Sequence, residues 1–504
     1  MSSLLQRTGV GLVLLIVVLP IVFLLSSFFT PIQFELSSNY ITGVALTTLL
    51  FITLVTLLST ILGTTLAYLT TIYEFSGSKF LSWALFLPFA VPPYVLAFVH
   101  LGLWENILNT NSILFASGVL SLSLYPYVYL FSKAAFQSKG KRSLEVAQSL
   151  GRGPLNAFIT VMIPSSWPWI TGGALFVLME TLSDFGAVSI FNIDTVSVAI
   201  YKAWFSYFSI GSANRIAAVT VIIVGVILYL ESWVRRKRQF YSPDQELKPS
   251  PKKILKGRPS ILTSVFCFSI ASLAFFLPFA QLVKWSFMDA TVVDIKSILP
   301  FLLNSLSLSL IATVLIVSLA CYLAVSTRLE RKYSKVLALS QKLASVGYAL
   351  PGAVLAVISF TVITRFFSYG FIKNSIIIII FGYSIRFLTV GLNPINTGFK
   401  RLSKNIDDSA RSLGCGAVEI FRRIFIPTIK KSIITASLLV FIEVMKEMPI
   451  TLMTRPFGWD TLSVKIFEYT SEGEWEKAAL PAIILVCVGI IPVLILSKNE
   501  RSHE

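Results

Sequence analysis

Glu145-Val-Ala-Gln-Ser-Leu-Gly151 is followed, ten residues on, by Val161-Met-Ile-Pro164. The same element returns as Asp408-Ser-Ala-Arg-Ser-Leu-Gly414, then Ile424-Phe-Ile-Pro427. Acid to Gly is six residues in both copies, and acid to Pro is nineteen. The copies stand 263 positions apart, from 145 to 408. That one offset also maps Leu87-Pro88 onto Leu350-Pro351, Glu180 onto Glu443 and Asp184 onto Glu447. Separated features in one register mark a tandem duplication, so the chain is read as one unit copied twice.

The surroundings of this element are apolar. Of 504 residues, 55% are hydrophobic and only 13% charged, with a mean hydropathy of +0.78. That is too little charge to cover the surface of a soluble chain of this size. The apolar residues come in runs of roughly 20, the length of a helix that crosses a bilayer. In lipid the backbone must close its own hydrogen bonds, so these runs are expected to be helices. The alternation that a β-barrel needs is absent.

Runs near 9–29, 41–71, 81–104, 112–132, 166–190 and 213–234 make a first set of six. Runs near 261–284, 301–326, 338–364, 372–392, 432–452 and 476–497 make a second. The expected fold is therefore all-α and integral to a membrane, with about twelve spans in two tandem six-helix halves, 1–234 and 261–504. Between them lies a polar linker, 235–260, carrying Arg235-Arg236-Lys237-Arg238 and Pro249-Ser250-Pro251-Lys252-Lys253. The first run lacks a small-residue cleavage site and reads as a retained helix.

The net charge is +17, from 42 Lys and Arg against 25 Asp and Glu. In a soluble protein such an excess suggests nucleic acid. Here the bases gather in loops: Lys133, Lys139, Lys141, Arg142 and Arg152, then Lys400, Arg401, Lys404, Arg411, Arg422, Arg423, Lys430 and Lys431. Loops rich in Lys and Arg stay in the cytoplasm. Both loops, the linker and both termini are placed there, with membrane lipid and not nucleic acid as the surroundings. Cys267, Cys321, Cys415 and Cys487 form no C-x-x-C pair, so the spacing suggests neither a metal site nor a disulfide scaffold.

The two loops, 133–165 and 393–431, read as docking elements. The acids Glu145 and Asp408 open a short helix. Ala147 and Ala410 would let a partner surface approach closely. Gly151 and Gly414 permit a left-handed turn. Pro164 and Pro427 interrupt the helix before the next span. These loops resemble the EAA motif, E-A-A-x3-G-x9-I-x-L-P, of binding-protein-dependent ABC-importer permeases of type I. Val146 and Ser409 depart from its first Ala, and Asp408 from its Glu. The resemblance implies that each loop enters a cleft on a nucleotide-binding subunit, two copies per permease. It also implies a periplasmic binding protein and a place in a bacterial inner membrane. No phosphate-binding G-x4-G-K-[ST] occurs in this sequence. ATP and Mg would then sit on the partner, and this chain would be a transport subunit with no catalytic residues or cofactor of its own.

Four segments are similar to fused ferric-iron permeases: Leu87 to His100, Tyr125 to Tyr129, Met179 to Gly186 and Asp194 to Phe205. That resemblance implies import of Fe³⁺ from a periplasmic carrier. Permeases for thiamine and other small cations or polyamines share much of the pattern. The residues bear on the same question. Glu180 and Asp184 stand at i, i+4, hence on one face of a helix, and Glu443 and Glu447 repeat them. Acids inside a membrane are costly and belong in a bundle interior, and hard carboxylate oxygens suit a hard cation. They are candidate lining for a cation path, with no metal-ligand set assigned. The alternative is structural: pairing with Lys446 or Arg386, or capping a broken helix.

His100 reads as an interfacial side chain. Pro88, Pro92, Pro93 and Pro351 read as helix breaks that line a cavity or bend a packed helix. Tyr94, Tyr125, Tyr127 and Tyr129 read as interfacial aromatics, and Met179, Met445 and Met448 as packing. A stand-alone secondary transporter would also fit twelve spans with internal symmetry, but it has no use for the paired loops. An enzyme has no support, since no nucleophile–base constellation appears.

Overall fold

A computed structural model describes residues 8, 11, 14–30, 37–105, 107, 109–110, 112–137, 141–236, 252–288, 295–328, 346–366, 375–400 and 402–501. It is almost wholly helical. Among the described residues, eight helices are long and apolar enough to cross a membrane. A bent pair raises the number to nine, and two shorter apolar helices, Leu15–Phe29 and Gly352–Phe366, complete the set. Twelve straight spans is thus not what the described residues give by length and composition. Helices stand at all twelve expected places, but several are broken or short.

The breaks have local causes. The expected span 81–104 is three pieces, Ser78–Ala84, Leu87–Ala90 and Pro93–Trp104. Its two main segments meet at 99°, where Pro92 and Pro93 deny the backbone two donors in a row. The expected span 166–190 ends at Ser183, because Asp184 has an extended ψ of 130°. The expected span 432–452 ends likewise at Lys446, with Glu447 at ψ 126°. A short helix, Gly186–Ile190 or Pro449–Thr454, then follows each break.

The duplication carries through at the level of elements. Helices Lys141–Ser149, Pro154–Ala157 and Ile163–Ser183 return as Lys404–Ser412, Ala417–Ile420 and Ile426–Lys446, each shifted by the same 263. Even a five-residue π-turn repeats, Phe158–Met162 and Phe421–Phe425. Gly151 and Gly414 hold matching φ angles of +84° and +86°, the left-handed region that only glycine enters without cost.

The packing does not follow the sequence halves. One core joins residues between Phe51 and Val198 to Cys267, Phe275 and Trp285 and to Ala478, Leu485 and Val486. The other joins residues between Leu308 and Met453 to Leu24 and to Ala213, Ala217, Val221 and Val224. The outer helices of each half therefore pack on the other half. Within the first core, three long helices converge on Val128. A β-carbon at Gly63 would lie 2.7 Å from Val128 Cβ, and one at Gly173 would lie 2.9 Å from Val128 Cα. Glycine at those points lets the helices touch backbone to side chain.

The linker is held at its far end. Lys253 and Ile254 pair in parallel with Tyr73 and Glu74, and Lys252 Nζ donates to Thr70 O at 2.7 Å. Lys253 reaches Gln148 on the helix 141–149. The expected solvated connection is thus, from 252 onward, a clamp on the first half. Residues 237–251, including Lys237-Arg238 and Pro249-Ser250-Pro251, lie outside the described residues.

Candidate functional sites

The paired helices 141–149 and 404–412 lie at corresponding ends of the two repeats. Glu145 and Val146 are exposed, and so is Ser409; Asp408 falls on the 404–412 helix, its side chain outside the described set. Ala147 and Ala410 are turned inward, each 5% exposed. Their small size is used against the chain's own cores. The most exposed apolar group on each helix and its turn is the Leu that precedes the glycine. Leu150 is 78% exposed and Leu413 is 84% exposed. They share the 263 register, and that register was the sequence signal that could have singled them out. Pro164 and Pro427 are exposed and sit in the first turn of the helices they open, where a missing N–H costs nothing.

Each of these two helices leads on through a short helix and a π-turn into one long helix. Ile163–Ser183 and Ile426–Lys446 have 21 residues apiece, hence a reach of about 30 Å. Glu180 and Glu443 lie near their far ends. There a cavity of about 100 Å³ is lined by Glu180, Asp184, Glu443 and Glu447 together with Arg386 and Lys446. The four acids found by register are thus brought to one place.

Their roles differ. Asp184 and Glu447 are past the ends of their helices, so the i, i+4 face does not apply to them. Val188 N donates to Asp184 Oδ1 at 3.1 Å. Ile450 N donates to Glu447 Oε1 at 2.9 Å, and Thr451 N and Oγ1 donate to Oε2 at 3.3 and 3.2 Å. Both acids cap the short helices that follow the breaks, satisfying first-turn donors that otherwise have no partner. Glu180 and Glu443 remain on helix. Glu180 accepts a hydrogen bond from Tyr348 at 2.7 Å, a residue that sequence reading passed over.

The structural alternative of acid–base pairing is not realised. None of the described ion pairs joins Arg386 or Lys446 to any of the four acids. Lys446 donates across the halves to Phe89 O. No three described His, Cys, Asp or Glu residues come together as a metal-binding group. Tyr94, Tyr127, Pro88 and Pro93 also line the cavity.

The remaining candidates are structural. His100 is buried, not interfacial. Trp104 Nε1 donates to its Nδ1 at 3.1 Å, so its Nε2 donates to Leu273 O at 3.0 Å. Tyr125 and Tyr129 are buried and donate to Leu85 O and Ser82 O, fixing the broken segment 78–90. Met179, Met445 and Met448 are buried.

Residues 319–500 match the family described as the inner membrane component of binding-protein-dependent transport systems. The match spans the helix 404–412, Glu443 and Glu447. That part of the chain is similar to these transport permeases. The first half carries corresponding elements at a fixed register, so the matched set of helices occurs twice along the chain. The chain is similar to a Fe(3+)-transport system permease of Haemophilus influenzae, with 28% identity over 93% of this chain and 91% of the relative. It is also similar to a probable sulfate transport system permease of Nephroselmis olivacea, at 27% over 36% of this chain and 69% of the relative. A putative 2-aminoethylphosphonate transport system permease of Salmonella typhimurium shares 29% over 32% of this chain and 61% of its own. The permease is a multi-pass membrane protein and a transport subunit.

Proposed function

We propose that this permease is the membrane subunit of an ATP-driven importer for ferric iron delivered by a periplasmic binding protein. Two copies of a nucleotide-binding ATPase, which hold the ATP and Mg, dock on the helices 141–149 and 404–412. Those helices, the linker and both termini face the cytoplasm of a bacterial cell. Twelve helical passes divide at the linker into the halves 1–234 and 261–504.

The observation that carries the docking reading is the matched exposure of Leu150 and Leu413 at the two turns. A bare leucine at equivalent points of both repeats suits two copies of one partner. Closure of the ATPase pair would move the two docking helices together, and each leads through a glycine turn, a short helix and a π-turn into a long helix that ends at the acid-lined cavity. Support for iron comes from the ferric-iron relative, which matches nearly the full length of both chains. Glu180 and Glu443 are the acids best placed to meet a cation, since Asp184 and Glu447 are engaged as caps.

The test is reconstitution with the ATPase and an iron-loaded binding protein. Radiolabelled iron is expected to enter vesicles only with ATP. Uptake driven by an ion gradient with no ATPase present defeats the reading. One observation favours a second cargo, an oxyanion: Arg386 and Lys446 line the same cavity. Uptake of sulfate or a phosphonate without iron would favour it over ferric iron, thiamine or a polyamine.

A further inference from the structure

The helical run Phe421–Lys446 is one of those long and apolar enough to cross a membrane. Its first turns carry Arg422, Arg423, Lys430 and Lys431, all exposed. At i, i+4 and i+8, Arg422, Ile426 and Lys430 fall on one side of the helix, and Arg423, Pro427 and Lys431 run beside them. Exposed Lys400 joins them from the end of the helix Ile376–Lys400. There the rings of Phe399 and Phe425 meet at 5.1 Å, and a β-carbon on Gly398 would lie 3.5 Å from Ile429 Cβ. Five cations thus gather on one surface. Among the described ion pairs, Arg423 alone of the five takes part, with Glu419 at 3.0 Å. That pair is exposed and holds the guanidinium weakly.

The repeat shows that this cluster belongs to one half. Shifted back by 263, the five fall on Gln137, Ile159, Thr160, Trp167 and Pro168, none of them basic. Ser432 falls on Trp169. Trp167 and Trp169 are 44% and 47% exposed. In this half Arg152 reaches the same place, where it donates to Thr160 at 2.6 Å. Exposed tryptophans near the end of a membrane-crossing helix mark headgroup depth, where an indole has one apolar side and one wet side. The shared register sets Lys430 and Lys431 at that depth in the second half. Orientation does not ask for them, since the first half is oriented by loop bases with none at these five points.

We propose that Lys400, Arg422, Arg423, Lys430 and Lys431 form a site for the phosphate headgroups of anionic phospholipids, which anchors the second half by charge where tryptophan anchors the first. Guanidinium and ammonium groups bind phosphate oxygens by charge-assisted hydrogen bonds. Ile426 and Ile434, 38% and 45% exposed, lie alongside for the acyl chains. An acidic face on a soluble protein would suit the same charges. The tryptophans at the equivalent points favour lipid, because headgroup depth lies outside the reach of a soluble partner.

The test uses the full-length permease in vesicles, with photoreactive phosphatidylglycerol and phosphatidylcholine of matched chains as probes. Label is mapped to peptides. Phosphatidylglycerol is expected to label the segment 400–434 at least tenfold more than phosphatidylcholine, and the segment 137–169 with little preference. Raised salt should shrink the ratio. A cation at headgroup depth is worth about fivefold. Changing Lys400→Gln, Arg422→Gln, Arg423→Gln, Lys430→Gln and Lys431→Gln together should therefore bring the ratio at 400–434 close to one. Trp167→Leu with Trp169→Leu should leave it unchanged. Equal labelling of 400–434 by the two lipids in the wild-type permease overturns the proposal. So does an intact ratio in the five-Gln variant, and if that variant also loses the ATPase, the patch belongs to the protein partner. Should the variant fail to insert, the wild-type ratio between the two segments decides: preference equal in both overturns the site.

Discussion

Asp184 and Glu447 look like Glu180 and Glu443 in the sequence, and in the fold they do different work. All four line the cavity, but Asp184 and Glu447 also cap the helices that follow them. Glu447→Ala removes three hydrogen bonds at the start of 449–454, and losing such a cap costs about 1–2 kcal/mol. A lowered melting temperature of the purified permease is expected, with Glu447→Gln milder because its amide oxygen still accepts. Glu180→Gln and Glu443→Gln should leave melting nearly unchanged and cut iron uptake together. Full uptake by the double variant would remove both residues from the cargo path. The four acids were legible in the sequence because they share one offset. Their division of labour was not, because it depends on where each helix stops.

At the scale of elements, the two docking helices are alike in shape and unlike in support. Arg328 fastens the second: its Nε lies 2.6 Å from buried Asp407, and its other nitrogens donate to the carbonyls of Phe399, Leu402 and Ser403. In the first repeat the place of Asp407 is taken by Leu144, fully buried in the core, and the linker strand adds its clamp. Arg328→Met leaves Asp407 as a buried charge without its partner, a loss of about 3–5 kcal/mol. Hydrogen exchange is expected to speed up across 404–412 and stay unchanged across 141–149. The turn glycines invite a paired test. No atom lies within 4 Å of a β-carbon built on Gly151 or Gly414, so only the backbone angle resists substitution. Gly151→Asn should be tolerated and Gly151→Val strained by about 1–2 kcal/mol, read as lost retention of the ATPase on an affinity column. Leu150→Glu with Leu413→Glu should weaken that retention more. Burying a leucine is worth about 1.5–3 kcal/mol, so each site contributes on the order of tenfold to a hundredfold in affinity.

For the whole molecule, the interlaced cores make the halves interdependent. Residues 200–224 complete a core built from 308–453, and residues 267–285 with 478–486 complete one built from 51–198. A chain cut in the linker near residue 245 should still assemble when both pieces are made together. Either piece alone is expected to leave apolar faces uncovered and to be degraded or aggregated. Stable, monodisperse 1–234 by itself would contradict the interlacing. Hydropathy runs carry no record of this exchange, since a helix facing lipid and a helix facing another half are equally apolar.

The sequence by itself determined the class, the duplication and the register. Run length against bilayer thickness demands helices, and a repeated offset survives in plain residue order. The position of the acids and of the docking turns followed from the same arithmetic. Only the tertiary structure decided which face of each docking helix points outward, which of the four cavity acids also cap a helix, and how the halves exchange helices. It also brought Arg386, Lys446 and Tyr348 to the acids from helices far away in sequence. Those outcomes depend on contacts between distant segments, and pairwise packing leaves no local pattern along a uniformly apolar chain.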